Sequence, residues 1–246
     1  MAVLVGCCGF ASAQQQYFRE FPLVEIQQTF YHPPQLATAQ RWRQAAGPSF
    51  VFTLKAWQLI THPARSPTYR RLRRPLDEAS RSRVGSFQPT EEVWRAWETT
   101  RSIAAVLEAP VVVFQCPASF TPTATHRQHL RAFFERVRQS GMPPGAAMPL
   151  LAWEPRGDWP RKAIADLCDE LDLLHVVDPF VARPVRRGVF YYRLHGIGGY
   201  RHTYTEAELD QLAAWLRESG DEGYCLFNNV TMRQDARRLL ERLSPA

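Results

Sequence analysis

The chain has 246 residues, 45% of them hydrophobic and 22% charged, which supports a sizeable buried core and excludes disordered, collagen-like and coiled-coil architectures. Thirty Lys plus Arg against 24 Asp plus Glu give +6, a basic surface that favours an anionic ligand without histone-like charge density. Five cysteines (Cys7, Cys8, Cys116, Cys168, Cys225) sit mostly in apolar runs without a CxxC pair, and no window reaches the ~18 apolar residues of a membrane span, so the reading is a reduced, cytoplasmic protein with no membrane partner.

In chain order, short apolar and β-rich runs bounded by turn residues predict strands at Val3 to Cys7, Leu23 to Ile26, Phe50 to Leu54, Val111 to Phe114, Leu150 to Trp153, Leu174 to Val177, Val189 to Leu194 and Tyr224 to Phe227. The first run resembles a lipoprotein cleavage site only superficially: no basic residue precedes it, and its apolar stretch is too short for a signal core. Helical spacing falls between strands, as at Glu91 to Glu108, Thr125 to Gln139 and Glu206 to Glu218, where Thr205 and Glu208 form a capping box.

Near-continuous apolar strands alternating with helices predict an α/β fold, a single (β/α)8 barrel domain over residues 1–246, at about 31 residues per unit. A doubly wound sheet is the alternative, but Gly6-Cys7-Cys8-Gly9-Phe10 lacks the glycine spacing of a dinucleotide site. The barrel is irregular. Only about ten residues, including Pro179 and Pro184, separate the sixth and seventh strands, leaving no room for a full helix. A long loop follows the third strand, and its Pro-, Ser- and Arg-rich stretch from Thr61 to Pro89 reads as an elaboration of the active face or a mobile segment without stable secondary structure.

Most strands end in polar groups: Glu25 and Gln27, Lys55, Gln115, Glu154, Asp178, Arg193 and His195, then Asn228 and Asn229. Side chains alternate along a strand, so Glu25 with Gln27, Glu154 with Arg156 and Arg193 with His195 share a side, which in a barrel is the mouth. Barrels place their chemistry at this face, and buried charge needs compensation, so the set reads either as a ligand site or as an ion network plugging the barrel.

The segments Val24-Glu25-Ile26-Gln27-Gln28-Thr29-Phe30-Tyr31, Phe52-Thr53-Leu54-Lys55-Ala56, Phe114-Gln115-Cys116-Pro117-Ala118-Ser119-Phe120, Glu154-Pro155-Arg156, Tyr192-Arg193-Leu194-His195-Gly196 and Phe227-Asn228-Asn229 together resemble the DUF72 (YecE-like) family, over Gly6 to about Leu240. The resemblance implies a TIM barrel with a polar cluster in its mouth and no assigned reaction. Departures from the usual pattern are Cys7 and Cys8 in place of Thr-Ser, Gln27-Gln28 in place of Asn-Ser, and Gly157 where a His usually follows the Arg. The expectation is altered substrate choice or weakened activity.

Residue chemistry gives candidate roles. Glu25 and Glu154 could face each other and divide acid and base work, or serve as ion-pair scaffolding. Lys55 could be a Schiff-base amine, but two nearby carboxylates are expected to hold its pKa high and favour anion binding. His195 could shuttle a proton, while Arg193 offers a bidentate fork to an oxyanion or phosphate, with Arg156 adding a third cation. Tyr31, Gln115, Asp178, Asn228 and Asn229 are candidate substrate-binding groups. A divalent metal on Glu25, Glu154, Asp178 and His195 ranks low because cations share the mouth and no ligand spacing is recognised, and no cofactor is expected. Seven arginines in nineteen residues, Arg65, Arg70, Arg71, Arg73, Arg74, Arg81 and Arg83, read as a solvated run or as a grip on a polyanion. The leading reading is an enzyme acting by acid–base chemistry on a phosphorylated or anionic small molecule. The alternative is a nucleic-acid binding or processing protein that uses the arginine loop.

Overall fold

The computed structural model describes residues 3–219 and 222–244. Eight parallel strands close into one barrel in sequential order: β1 (Leu4–Cys8), β2 (Leu23–Ile26), β3 (Val51–Lys55), β4 (Val111–Gln115), β5 (Leu150–Glu154), β6 (Leu174–Val177), β7 (Phe190–Leu194) and β8 (Gly223–Phe227). Each expected strand is present to within one residue. Closure runs through β8 on β1, with Leu4 opposite Tyr224 and Cys7 opposite Phe227.

Ten α-helices connect them among the described residues: α1 (Gln14–Glu20), α2 (Gln28–Tyr31), α3 (Leu36–Ala46), α4 (Gln58–Thr61), α5 (Glu78–Arg81), α6 (Glu91–Leu107), α7 (Ala124–Ser140), α8 (Arg161–Glu170), α9 (Glu206–Ser219) and α10 (Met232–Leu243). Helix starts follow local chemistry. Thr123 Oγ1 accepts from His126 N–H at 3.1 Å, and the Thr205–Glu208 capping box is reciprocal at 2.7 and 3.3 Å. No helix among the described residues is long and apolar enough to cross a membrane.

The strands read as continuous apolar runs because both faces are buried. Outward residues such as Val24, Phe52, Val112 and Phe114 pack in the large layer under the helices, and inward residues such as Leu23, Val111, Val113, Ala152, Val176 and Leu226 form a separate small core inside the barrel. Burial of this kind contributes about 1.5–3 kcal/mol per large apolar side chain relative to exposure. Above that inner core, at the carboxyl ends of the strands, the inward positions turn polar.

No helix joins β6 to β7. Phe180 from that connection covers the barrel instead, packing on Tyr204 and on Trp215 of α9 with ring centroids 5.5 and 5.1 Å apart. The loop after β3 differs from the expectation of no stable secondary structure: a 3-10 turn at Pro67–Arg71 and α5 interrupt it. Proline at the start of the first turn presets φ, and Asp77 caps the second by accepting from Ser80 N–H at 2.8 Å. Its far end is pinned to α4 by Gly85 N–H on Leu59 O at 2.7 Å and Phe87 N–H on Ile60 O at 2.8 Å.

Candidate active site in the barrel mouth

Period-two alternation brings Tyr191, Arg193 and His195 to one side of β7 and its exit, Thr53 and Lys55 to one side of β3, and Glu25, Gln115 and Glu154 to the tops of β2, β4 and β5. Arg193 lies at the centre, fully buried. Its Nη2 donates to Glu25 Oε1 at 3.0 Å and its Nη1 to Gln115 Oε1 at 3.0 Å and to Glu154 Oε2, while Nε has no partner. Tyr191 OH supports Glu25 Oε2 at 2.8 Å, with Thr53 Oγ1 2.7 Å behind it, and Gln27 Nε2 reaches Glu25 Oε1.

Glu154 Oε1 takes Arg156 Nε at 2.7 Å and faces His195 Nε2 at 3.2 Å. Asn228 Nδ2 lies 3.0 Å from the other imidazole nitrogen, and Arg156 also reaches His195 Nε2. Burial alone would raise the Glu154 carboxyl, but Arg193, the His195 hydrogen bond and Arg156 together hold it well below the usual carboxylate range. Burial lowers His195 from its ordinary value against the pull of Glu154, leaving it mostly neutral near pH 7. Cys8, where the resemblance leads one to expect a serine, is raised by burial first and Glu25 second, and so stays a thiol.

Two expectations are thereby corrected. Glu25 and Glu154 do not confront each other across open space: both clamp Arg193, and Glu25 is wholly buried and off the cavity wall. The Arg193 fork is filled by carboxylates, so its two terminal nitrogens are already committed.

Lys55 provides the third correction. Its side chain is 5% exposed, and Nζ sits 3.5 Å from the Phe30 ring centroid without an ion pair or hydrogen bond among the described residues. Burial, then repulsion from Arg193, lowers its pKa to about 7, and Glu154 and Glu25 oppose this without reversing it. The expectation of a high pKa fails because burial outweighs the two carboxylates, both of which are bound to Arg193. The neighbouring His62 is pushed down to about 3 by burial and by Lys55.

Lys55 opens onto a cavity of about 760 Å³ that Tyr31, Gln115, Arg156, His195 and Asn228 also line. Sequence reasoning missed His62, Phe30 and Tyr200 on this wall, and Tyr191 and Thr53 beneath it. The last two carry a legible signal, standing two residues before Arg193 and Lys55. His62 and Tyr200 arrive on loops, where no periodicity announces them. Arg71 from the arginine loop also lines the cavity, its guanidinium carbon 3.6 Å above the Tyr31 ring.

Two expected site residues lie elsewhere. Asp178 faces a side cavity of about 490 Å³ beyond Arg156 and His195, and its oxygens accept from Phe180 N–H at 3.0 Å and His195 N–H at 2.9 Å. Asn229 points behind the barrel wall, its Nδ2 bonded to Asp235 at 2.7 Å and the His202 carbonyl at 2.8 Å, as alternation after Asn228 requires. Glu25, Glu154, Asp178 and His195 form no metal set: no group of three or more His, Cys, Asp or Glu side chains suited to a metal ion occurs among the described residues. At Gly157, a Cβ would lie 2.4 Å from the Phe120 carbonyl oxygen, so this backbone cannot carry the histidine of the usual pattern.

The closed barrel has counterparts among solved structures. A DUF72 family protein from Enterococcus faecalis V583 superposes with a TM-score of 0.73 at 16% identity, covering 99% of this chain and 96% of that one. One from Thermotoga maritima gives 0.67 at 18% identity, with 99% of both chains covered, and a D-psicose 3-epimerase gives 0.57 at 10% identity, with 97% of both covered. At these identities the likeness concerns the fold alone. No curated protein matches the sequence. The family described as protein of unknown function DUF72 matches residues 11–246, nearly the whole chain, and this protein belongs to it.

Proposed function

We propose that this protein is an enzyme that binds a phosphorylated or otherwise anionic small molecule in the barrel mouth and acts on it by acid–base chemistry. One observation carries the reading. On the β7 side of the mouth Arg193 and Arg156 are paired with Glu25 and Glu154, whereas on the β3 side Lys55 and Arg71 face the cavity with no carboxylate paired to either among the described residues. Lys55 is buried, and a buried cation without a counterion is costly, a cost that an anionic ligand offsets, with the exposed Arg71 adding attraction.

In this reading Arg71 and Arg156 hold the anion, and Tyr31, Gln115 and Asn228 orient the rest of the ligand. Lys55, with a pKa of about 7, exchanges a proton close to neutrality, where acid–base catalysis is most effective. Neutral His195 is the second proton-exchanging group. Glu25 and Glu154 act through Arg193 and His195 as positioning residues. The test is titration calorimetry with inorganic phosphate on the wild type and on Arg71→Ala. Loss of one charge-assisted contact should weaken binding about tenfold. Equal affinity, or no binding by the wild type, counts against the reading.

A second reading, association with a nucleic-acid backbone, draws on Arg65, Arg70, Arg73 and Arg74. All four are exposed, and none has an ion pair or hydrogen bond among the described residues, unlike Arg81 with Glu78 at 3.5 Å and Arg83 with Glu92 at 2.8 Å. Steep salt dependence of oligonucleotide binding is its signature.

A further inference from the structure

The chain contains 30 Lys plus Arg, but only two are lysines, Lys55 and Lys162. Lys162 is an ordinary surface residue, its side chain 84% exposed and paired with Asp166 at 2.8 Å. Lys55 is buried at the top of β3, its Nζ on the face of Phe30 and on the wall of the mouth cavity. If that position served only to supply positive charge, a guanidinium would do so without ever losing its proton, as it does 28 times elsewhere in this chain. A primary amine differs in one chemical capacity: once neutral, it is a nucleophile.

We propose that Lys55 is a covalent catalytic residue, whose Nζ condenses with the carbonyl carbon of a phosphorylated or carboxylated aldehyde or ketone to form an imine. The proposal rests on the anion-binding reading above, because Arg71 and Arg156 line the same cavity and would hold the anionic end while the carbonyl reaches Nζ. The step balances without an external oxidant or reductant. The Nζ lone pair forms the C–N bond, the C=O π pair passes to oxygen, and the two hydrogens of the amine leave with that oxygen as water, giving C=N. Protonation of the imine nitrogen then makes an electron sink for deprotonation at the adjacent carbon or for cleavage of the next bond.

The surroundings favour the neutral amine. Charged or titratable groups reach Lys55 from several elements: Cys8 on β1, Glu25 on β2, Glu154 on β5, Arg193 on β7 and His62 after α4. Cys8 and His62 are uncharged at neutral pH and both glutamates are bound to Arg193, so nothing in the shell locks the ammonium form. With Lys55 at about 7, a substantial fraction is free amine at neutral pH.

The test incubates wild-type protein at pH 7.5 with glyceraldehyde 3-phosphate or with unphosphorylated glyceraldehyde, traps imines with borohydride, and locates adducts by peptide mass spectrometry. Lys162 and the N-terminal amine are internal controls. The expected result is one adduct per chain on Lys55, at least tenfold above Lys162, with the phosphorylated aldehyde effective at a tenfold lower concentration. Lys55→Arg, which keeps the charge but removes the primary amine, should abolish the adduct. If Lys55 is labelled no more than Lys162 while calorimetry shows phosphate bound, the imine is overturned and the anion reading stands. If both aldehydes label Lys55 at equal concentration, the imine stands and the anion reading falls.

Discussion

Arg193 and Lys55 leave the same end of the same barrel, on β7 and β3, and both are sealed from solvent. Around Arg193 the chain supplies Glu25, Glu154, Gln115 and, through Glu25, Tyr191 and Gln27. Around Lys55 it supplies a phenyl face and, among the described residues, no ion pair. The first arrangement is what stability requires of a buried cation; the second forgoes it. The two cations are therefore linked: by taking up both carboxylates, Arg193 leaves Lys55 without an ion pair among the described residues.

Breaking the β7 side should produce the largest effect. Arg193→Met removes the cation between two buried carboxylates and is expected to cost about 3–5 kcal/mol in urea unfolding at pH 7. The sign of the pH dependence follows from Glu154. Its carboxyl lies well below the ordinary 4.5 in the folded state, so its contribution is present above 4.5 and lost as pH falls through the lower folded value. The variant lacks that contribution, and its deficit should shrink on acidification as Glu154, deprived of Arg193, takes up a proton. A constant deficit from pH 7 to pH 4 would mean that the network is packing, not charge.

The β3 side should respond in the opposite direction. The folded pKa of Lys55, about 7, is depressed from 10.5, so the unfolded chain binds more protons between those values and stability rises with pH across that window. Lys55→Met is expected to be more stable than the wild type by on the order of 2–4 kcal/mol below pH 7, with the advantage vanishing towards pH 10.5. A variant less stable than the wild type at pH 6 would show that Lys55 has a partner after all.

Both sides were legible in outline from sequence, because alternation and strand ends place Glu25, Lys55, Glu154, Arg193 and His195 at one mouth without reference to three-dimensional contacts. What alternation cannot rank is competition. Several cations near two carboxylates suggested shared compensation, whereas the buried guanidinium, with donors aimed along two directions, takes both. Asn229 was misplaced by naming two adjacent residues where alternation admits one. The turns in the arginine loop did have signals, Pro67 and Asp77, outweighed by the loop's general composition. His62 and Tyr200 depend on loop trajectories that no local rule fixes.

Asn229 serves as a control lying outside both sides. Asn229→Ala removes the donor to Asp235 Oδ2, Thr231 Oγ1 and the His202 carbonyl, at 2.7, 3.0 and 2.8 Å. Leaving such acceptors short of a buried partner costs about 1–3 kcal/mol, so thermal unfolding should shift while phosphate affinity stays within twofold of wild type. A tenfold loss of phosphate affinity would tie this residue to the mouth.

The smallest expected change concerns how far the positive field of the β3 side extends. Arg71 sits in the cavity over Tyr31, and its loop neighbours Arg65, Arg70, Arg73 and Arg74 stand exposed with no ion pair among the described residues. Exposed charges of this kind contribute little to folding, so replacing these four with Ala should move stability by less than about 0.5 kcal/mol. Their effect should appear instead in long-range attraction, which weakens beyond a Debye length of about 8 Å at physiological salt. Oligonucleotide anisotropy across a salt series reads this directly, because each phosphate engaged adds roughly 0.7 to 0.9 to the log–log slope. If the loop grips a backbone, the fourfold variant should lose two or more units of slope at 50–200 mM salt while retaining phosphate binding in the mouth. An unchanged slope would confine the unbalanced charge to Lys55 and Arg71, and the nucleic-acid reading would lose the observation that favours it.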